Sequence, residues 1–257
     1  MSTYKLNFEQ AGNAIAIIKS DKKATAKKYT PLVYIGEARN GFEEIKLDKN
    51  EHFIPIPDIT VERSVNYIFG QSGSGKSYWV TQYAKQYKSF FPKRQIFVFS
   101  SLETDKEGLD KIGKINRINL NSDFINGESI PIEEFENSLV IFDDVDSLEK
   151  KTRDCVWSYM NKMLQTGRHH KISMCITMHT SCNGAQTKLI LNEAHTITYF
   201  PVSCGGRNLK YILESYLSMD KPQQARIKKI DSRWITVVKS YPKVILSDHD
   251  CYVLRND

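Results

Sequence analysis

Apolar residues along the chain fall into short uninterrupted runs that alternate, from residue 65 onward, with segments of helical spacing. VNYIF (65–69), QIFVFS (95–100), SLVIF (138–142), ISMCIT (172–177) and HTITYF (195–200) are runs of strand length, the pattern of strands buried on both faces of a sheet. After the first run, Trp79, Val80, Tyr83, Ala84 and Tyr87 recur on one helical face, and Pro92 lies just beyond the end. Val156, Tyr159, Met160, Met163 and Leu164 make a second such stripe, with Gly167 as a natural stop. This alternation predicts an α/β fold, a doubly wound and mainly parallel sheet with helices on both faces.

The first sixty residues read differently. NAIAIIKS (13–20) and PLVYIG (31–36) predict short strands separated by the lysine-rich DKKATAKKY (21–29), and HFIPIPDITVERS (52–64), with two prolines, reads as an irregular lead-in. The expected organisation is therefore a small β-rich element over 1–60 and a second domain over 61–257. The latter ends in a β-rich tail, WITVVKSYPKVIL (234–246).

Composition narrows the class without naming a function. The 257 residues are 40% hydrophobic and 26% charged, with 36 Lys+Arg against 30 Asp+Glu, which excludes disordered and fibrous chains. The net charge of +6 is compatible with a polyanionic partner but does not require one. No apolar run approaches membrane-spanning length, and MSTYKLNFEQ lacks a signal-peptide pattern. Five irregularly spaced cysteines without a CxxC suit reduced thiols in a cytosolic setting.

Two motifs carry chemistry. Gly70-Gln71-Ser72-Gly73-Ser74-Gly75-Lys76-Ser77 fits GxxxxGK[ST] and lies between a predicted strand and a predicted helix. Small residues let the backbone wrap a phosphate, and the helix N-terminus adds partial positive charge. Lys76 would reach the β- and γ-phosphates of ATP, the Ser77 hydroxyl would ligate Mg2+, and Tyr78 completes the expected nucleotide-binding segment. Leu139-Val140-Ile141-Phe142-Asp143-Asp144 delivers carboxylates to the C-terminal edge of a buried strand, where ligands collect in open α/β sheets. Asp143 would hold Mg2+ through water, and Asp144 would orient or deprotonate the water that attacks the γ-phosphate. The alternative is that Asp144 or Asp146 caps a helix starting near Val145, a role that suits Asp146 better.

Further polar residues follow. ISMCIT runs into Met178-His179-Thr180-Ser181, which is either an ordinary exposed turn or the place where Thr177 or His179 would sense the γ-phosphate. Arg168, in TGRHHK (166–171), is either a favourable charge at a helix end or an arginine finger acting on a neighbouring subunit's nucleotide, with Arg207 and Arg153 as rivals. His169 and His170 have no third ligand at metal spacing. Other nucleotide-binding classes fit poorly. Asn161-Lys162-Met163-Leu164 lacks the Asp of a GTPase NKxD motif, and Ser203-Cys204-Gly205-Gly206-Arg207 follows the acidic strand, whereas an ABC signature precedes it. The run 95–100 places an extra strand between the phosphate-binding (Walker A) and acidic (Walker B) strands, as in several P-loop ATPases.

GQSGSGKS, LVIFDDV, TGRHHKIS and SRWITVVKSYP (232–242) together resemble the FtsK/HerA superfamily of P-loop NTPases, over about residues 65–245. Within it they look most like the poxvirus-type DNA-packaging ATPases of large cytoplasmic DNA viruses and their smaller relatives. Two positions depart from the superfamily pattern: Asp144 stands where many members have Glu, and Met178-His179 where Gln is frequent. The resemblance implies a homo-oligomeric ring, a pentamer or hexamer, that threads double-stranded DNA into a capsid. It further implies capsid-protein partners, no membrane partner, and a place in the host cytoplasm (the viral factory) or on the virion. Lys19, Lys22, Lys23, Lys27 and Lys28 make either a solvated lysine loop or a surface that would meet DNA phosphates in a sequence-independent, salt-sensitive way, and Arg226-Ile227-Lys228-Lys229 is open to the same two readings. The alternatives are a small-molecule kinase of nucleoside type, whose usual Arg-rich lid is not evident, and a scaffold protein in which ATP only stabilises assembly.

Overall fold

The computed structural model describes residues 4–21, 30–105, 108–120, 122–126, 130–204 and 206–255. They form two compact units: a terminal unit of Met1–Val61 with His195–Asp257, and a central unit of Glu62–Ala194.

The terminal unit begins with β1 (Tyr4–Asn7), β2 (Asn13–Ser20), β3 (Leu32–Glu37), β4 (Glu44–Lys46) and β5 (Glu51–Pro55). Strands β1, β3, β2 and β5 form an antiparallel sheet in that order. The expected irregular lead-in is corrected here, because its start is β5, with Phe53 opposite Ile18 and almost fully buried. Pro55 sits at the end of this edge strand, where a missing N–H costs the ladder little.

The central unit holds β6 (Val65–Phe69), α1 (Lys76–Phe90), β7 (Ile96–Phe99), β8 (Asn116–Ile118), α2 (Ser122–Asn126), β9 (Leu139–Phe142), α3 (Lys150–Thr166), β10 (Ser173–Met178) and α4 (Gly184–Glu193). Its strands run in the order β6-β10-β9-β7-β8, and every pairing is parallel. Every residue of β6, β9 and β10 is buried, as their unbroken apolar runs require. Helix α1 buries the expected face, Trp79, Val80, Tyr83, Ala84 and Tyr87. The crossover from β6 to β7 passes one way along the sheet and that from β9 to β10 passes the other. Right-handed connections therefore put α1 and α3 on opposite faces, and α3 packs with α4. In the sheet, the strand that separates β6 from β9 is β10, while β7 lies on the far side of β9.

The terminal unit resumes with β11 (Thr196–Tyr199), α5 (Arg207–Tyr211), α6 (Lys221–Ile227), β12 (Ile235–Val238), β13 (Lys243–Ser247) and β14 (Asp250–Leu254). Strands β11 to β14 pair antiparallel in sequence order, and β14 pairs with β4, placing Cys251 opposite Ile45. The C-terminal segment from His195, expected to belong with the phosphate-binding domain, thus clusters with the first sixty residues. The physical reason is that β4 pairs with β14, the last strand of the tail. Phe53 also donates its N–H to the Asp248 carbonyl (2.8 Å), and Arg255 pairs with Glu43 (2.7 Å).

Candidate functional site

Strand β6 ends in Phe69 and the chain turns at once, with the Gly70 N–H donating to the Met178 carbonyl at 3.1 Å. The turn that follows is tight, and Gly73 and Gly75 take φ of 75° and 116°, a region that favours glycine. Gly75 is the N-cap of α1, whose first turn has neither a capping side chain nor an acidic residue. The orphan N–H groups and the helix dipole therefore face the loop as an anion-binding end. Lys76 opens the helix and is only 5% exposed, whereas Gln71, Ser72, Ser77 and Tyr78 are exposed. The Lys76 ammonium folds back over the loop, donating to the Gly70 carbonyl at 2.9 Å and towards that of Gln71 at 3.4 Å.

The acidic motif reaches the same place from β9. Asp143 continues the strand, its N–H bonded to the Phe99 carbonyl (2.9 Å). Its carboxylate accepts from the Ser100 hydroxyl at 2.9 Å and lies 3.2 Å from the Thr177 hydroxyl. Burial pushes this carboxyl above its usual range and the neighbouring charge of Asp144 adds to the rise, while the Ser100 and Thr177 hydroxyls pull it back. Asp144 then turns left-handed, at φ 45° and ψ 44°. The fully buried Thr177 fixes that turn by accepting the Asp144 N–H at 2.7 Å. Asp144 Oδ1 lies 3.3 Å from Lys76 Nζ, and Oδ2 lies 3.3 Å from His179 Nε2. His179 Nδ1 lies 3.2 Å from the same ammonium. A neutral His179 carrying its proton on Nε2 satisfies both contacts, accepting from Lys76 and donating to Asp144.

Lys76, Asp143, Asp144, Thr177 and His179, proposed separately from the sequence, therefore converge at the C-terminal ends of β6, β9 and β10. A buried carboxylate raised by burial and by a second carboxylate, at the same sheet edge as the Ser77 that follows Lys76, is an oxygen-donor set suited to a hard cation such as Mg2+. One group escaped notice in the sequence and another was given a different role. Ser100 is the polar tip of a buried strand, and that position was its only signal. Asp146, expected as a helix cap, instead accepts the backbone N–H groups of His179 (3.0 Å) and Thr180 (2.9 Å). A short 3-10 turn does begin at Val145, but Asp146 lies inside it and its side chain clamps the end of β10; the long helix α3 starts at Lys150.

Arg168 is not brought to this cluster within the chain. It is exposed in the turn after α3; burial lowers the pKa of Arg63, Glu193 opposes this, and Arg168 adds a smaller lowering. Arg63 itself donates to the Met163, Leu164 and Ile172 carbonyls. This is the N-terminal edge of the sheet, and the six residues of β10 put roughly 20 Å between it and the phosphate loop. Arg153, in the first turns of α3, starts from the edge that carries Asp143. A cleft of about 760 Å3 opens beside Ser100, lined by Leu102, Arg117, Asn119, Ser147 and Thr152 among others. Of the basic stretches, Lys22, Lys23, Lys27 and Lys28 lie outside the described residues. Arg226 stacks 3.9 Å over the Tyr252 ring and pairs with Glu44 at 3.4 Å, while Lys228 and Lys229 are exposed.

No family model matches the chain. It is 36% identical to Uncharacterized protein V3 of Sputnik virophage over 253 residues, 97% of this chain and 98% of that protein. Among solved structures it is similar to the genome packaging NTPase B204 from Sulfolobus turreted icosahedral virus 2 in complex with AMPPCP. That likeness is 14% identical, covers 72% of this chain and 98% of that one, and has a TM-score of 0.47. The cytoplasmic domain of the type VII secretion ATPase EccC from Thermomonospora curvata gives a TM-score of 0.51 at 9% identity, covering 80% of this chain and 28% of that one. The last likeness is one of fold, in agreement with the P-loop NTPase strand–loop–helix built by residues 65–90.

Proposed function

The chain belongs to the family of protein V3 of Sputnik virophage, and from that premise we propose that it is a Mg2+-dependent ATPase of the FtsK/HerA type that assembles as a ring and drives viral double-stranded DNA into a capsid. The observation that carries the ATPase reading is the meeting of Lys76, Asp143 and Asp144 around one helix N-terminus, from motifs far apart in sequence. The packaging reading is supported by the motif resemblance and by a relative encoded by a virus.

Each residue has a physical task in this reading. The N–H groups of the loop hold the phosphates, and phosphate oxygens compete with Asp144 for the Lys76 ammonium. Ser77 and Asp143 would hold Mg2+, which when bound neutralises phosphate charge and orients the leaving group. Asp144, relieved of Lys76, takes or orients the proton of the attacking water, with its left-handed backbone fixed by Thr177. His179 touches both Lys76 and Asp144, so it registers whether the γ-phosphate has taken the ammonium. Arg168 would act on the nucleotide of an adjacent subunit, consistent with its place far from its own loop.

The test is ATP turnover by the purified chain with Mg2+, with and without linear duplex DNA, over a salt titration. Stimulation that fades as salt rises is expected of a motor gripping the phosphate backbone. Acceptor-dependent ADP production without DNA stimulation would replace this reading with a kinase, and ATP binding without turnover would replace it with a scaffold.

A further inference from the structure

A second cluster lies in the terminal unit. His52 of β5 and the two turn residues between β13 and β14, Asp248 and His249, bring one ligand atom each within 4.8 Å of one another. The backbone holds these segments in place, since Phe53 donates to the Asp248 carbonyl at 2.8 Å and Leu47 to the His249 carbonyl at 2.9 Å.

The hydrogen bonds of the two rings fix their tautomers. His52 Nε2 lies 2.8 Å from Asp21 Oδ2, and His249 Nδ1 lies 2.9 Å from the Glu51 carbonyl. Both partners only accept, so these two nitrogens carry the protons. In the neutral rings that leaves lone pairs on His52 Nδ1 and His249 Nε2, whereas an imidazolium would donate from both nitrogens. Both nitrogens face the same oxygen, Asp248 Oδ2, at 3.2 and 3.3 Å. Three electron-rich atoms converging in this way repel one another unless positive charge lies among them. The two N···O spacings match a metal, because Zn2+ bound at 2.0–2.1 Å in a tetrahedron sets neighbouring ligand atoms about 3.3 Å apart, and the ring nitrogens lie within 4.8 Å of each other. The outer contacts match as well: a carboxylate on one ring and a backbone carbonyl on the other are the usual partners of metal-bound histidines.

We propose that His52 Nδ1, His249 Nε2 and Asp248 Oδ2 bind a divalent transition ion of the zinc class, with water in the fourth position. Asp21 and the Glu51 carbonyl orient the two rings. All three ligands are about one-third exposed, which lets the ion enter and water complete its shell. The ion ties β5 to the β13–β14 turn, so it is a structural clip of the terminal unit. Nitrogen and oxygen ligands favour Zn2+ over Mg2+, which separates this site from the phosphate loop.

The experiment uses the full chain without an affinity tag, treated with chelator, desalted and titrated with Zn2+ by calorimetry in excess Mg2+. Co2+ follows in a parallel titration read by its visible absorption. One ion per chain is expected, with the intense bands of tetrahedral Co2+. Asp21→Asn should weaken Zn2+ binding by about 10- to 100-fold, and His249→Ala and Asp248→Asn by more. Because a variant can misfold, the ring nitrogens of the unaltered chain are also followed by NMR. His52 Nδ1 and His249 Nε2 should shift with Zn2+ while their hydrogen-bonded partners keep their protons. No stoichiometric binding, undiminished affinity in His249→Ala, or two doubly protonated rings indifferent to Zn2+ would each overturn the proposal. The last would mean that protons alone hold the cluster together.

Discussion

Replacing Thr177 by valine isolates the contact on which the proposed water-activating carboxylate depends. The side chain is fully buried and valine keeps its shape, so the change removes a hydroxyl and little else. The hydroxyl accepts the Asp144 N–H at 2.7 Å and lies 3.2 Å from the carboxylates of both Asp143 and Asp144. Leaving that N–H without an acceptor costs about 1–3 kcal/mol. A loss of about 2 kcal/mol in a unit of this size lowers Tm by roughly 4–8 °C. The effect on chemistry should be larger. Asp144 holds a left-handed backbone with φ of 45°, and without its anchor the carboxylate relaxes. A displacement of about 1 Å at a reacting group costs about 100-fold. Thr177→Val should therefore cut kcat about 100-fold while ATP affinity, set by the loop and Lys76, changes little. Thr177→Ser restores the hydroxyl and should recover most of the rate. The assay pairs steady-state ATP hydrolysis with nucleotide binding and thermal melting of each variant. A valine variant that hydrolyses ATP at the parent rate, or a serine variant as impaired as valine, would refute the reasoning.

Other substitutions test separate parts of the site. Lys76→Ala should abolish most nucleotide affinity or turnover, and unchanged hydrolysis would place the phosphate site elsewhere. Asp144→Asn should leave ATP binding near the parent value and suppress hydrolysis by about two orders of magnitude or more, the range of a lost general base; surviving turnover would make Asp144 a structural turn residue. Asp146→Ala removes a charged acceptor from two backbone donors and should destabilise the central unit by about 2–3 kcal/mol in urea denaturation, with Asp146→Asn intermediate. A parent-like denaturation midpoint would show that the clamp on β10 carries no weight. Mixing Arg168→Ala subunits with Lys76→Ala subunits should restore part of the turnover if the arginine acts between subunits, and mixtures no better than the sum of their components would exclude it.

The central unit was legible because its signals are strong and local. Unbroken apolar runs can only be strands covered on both faces, and the burial of β6, β9 and β10 follows from that alone. The phosphate loop combines glycines that must adopt positive φ with a lysine at a helix start, so it announces both its conformation and its chemistry. Legibility ended where a role depends on what another strand delivers. Asp146 looks like a cap from its neighbours, yet its partners His179 and Thr180 come from β10. Ser100 gains meaning only when β7 lies beside β9. The terminal unit was least readable because β4 and β14 are some two hundred residues apart and their pairing leaves no local mark. The histidine cluster escaped for the same reason, since His52 and His249 show no metal spacing along the chain.

The central claim is that ATP hydrolysis at Asp144 moves duplex DNA. Its most direct test is ATP-dependent displacement of a third strand from a linear DNA carrying a triplex, using the purified chain and Mg2+. The account predicts that the unaltered chain displaces the third strand as ATP is consumed, and that Asp144→Asn binds both ATP and DNA but leaves the triplex intact. Steady hydrolysis on the same DNA with the third strand undisturbed, by an assembled and DNA-bound protein, would contradict it.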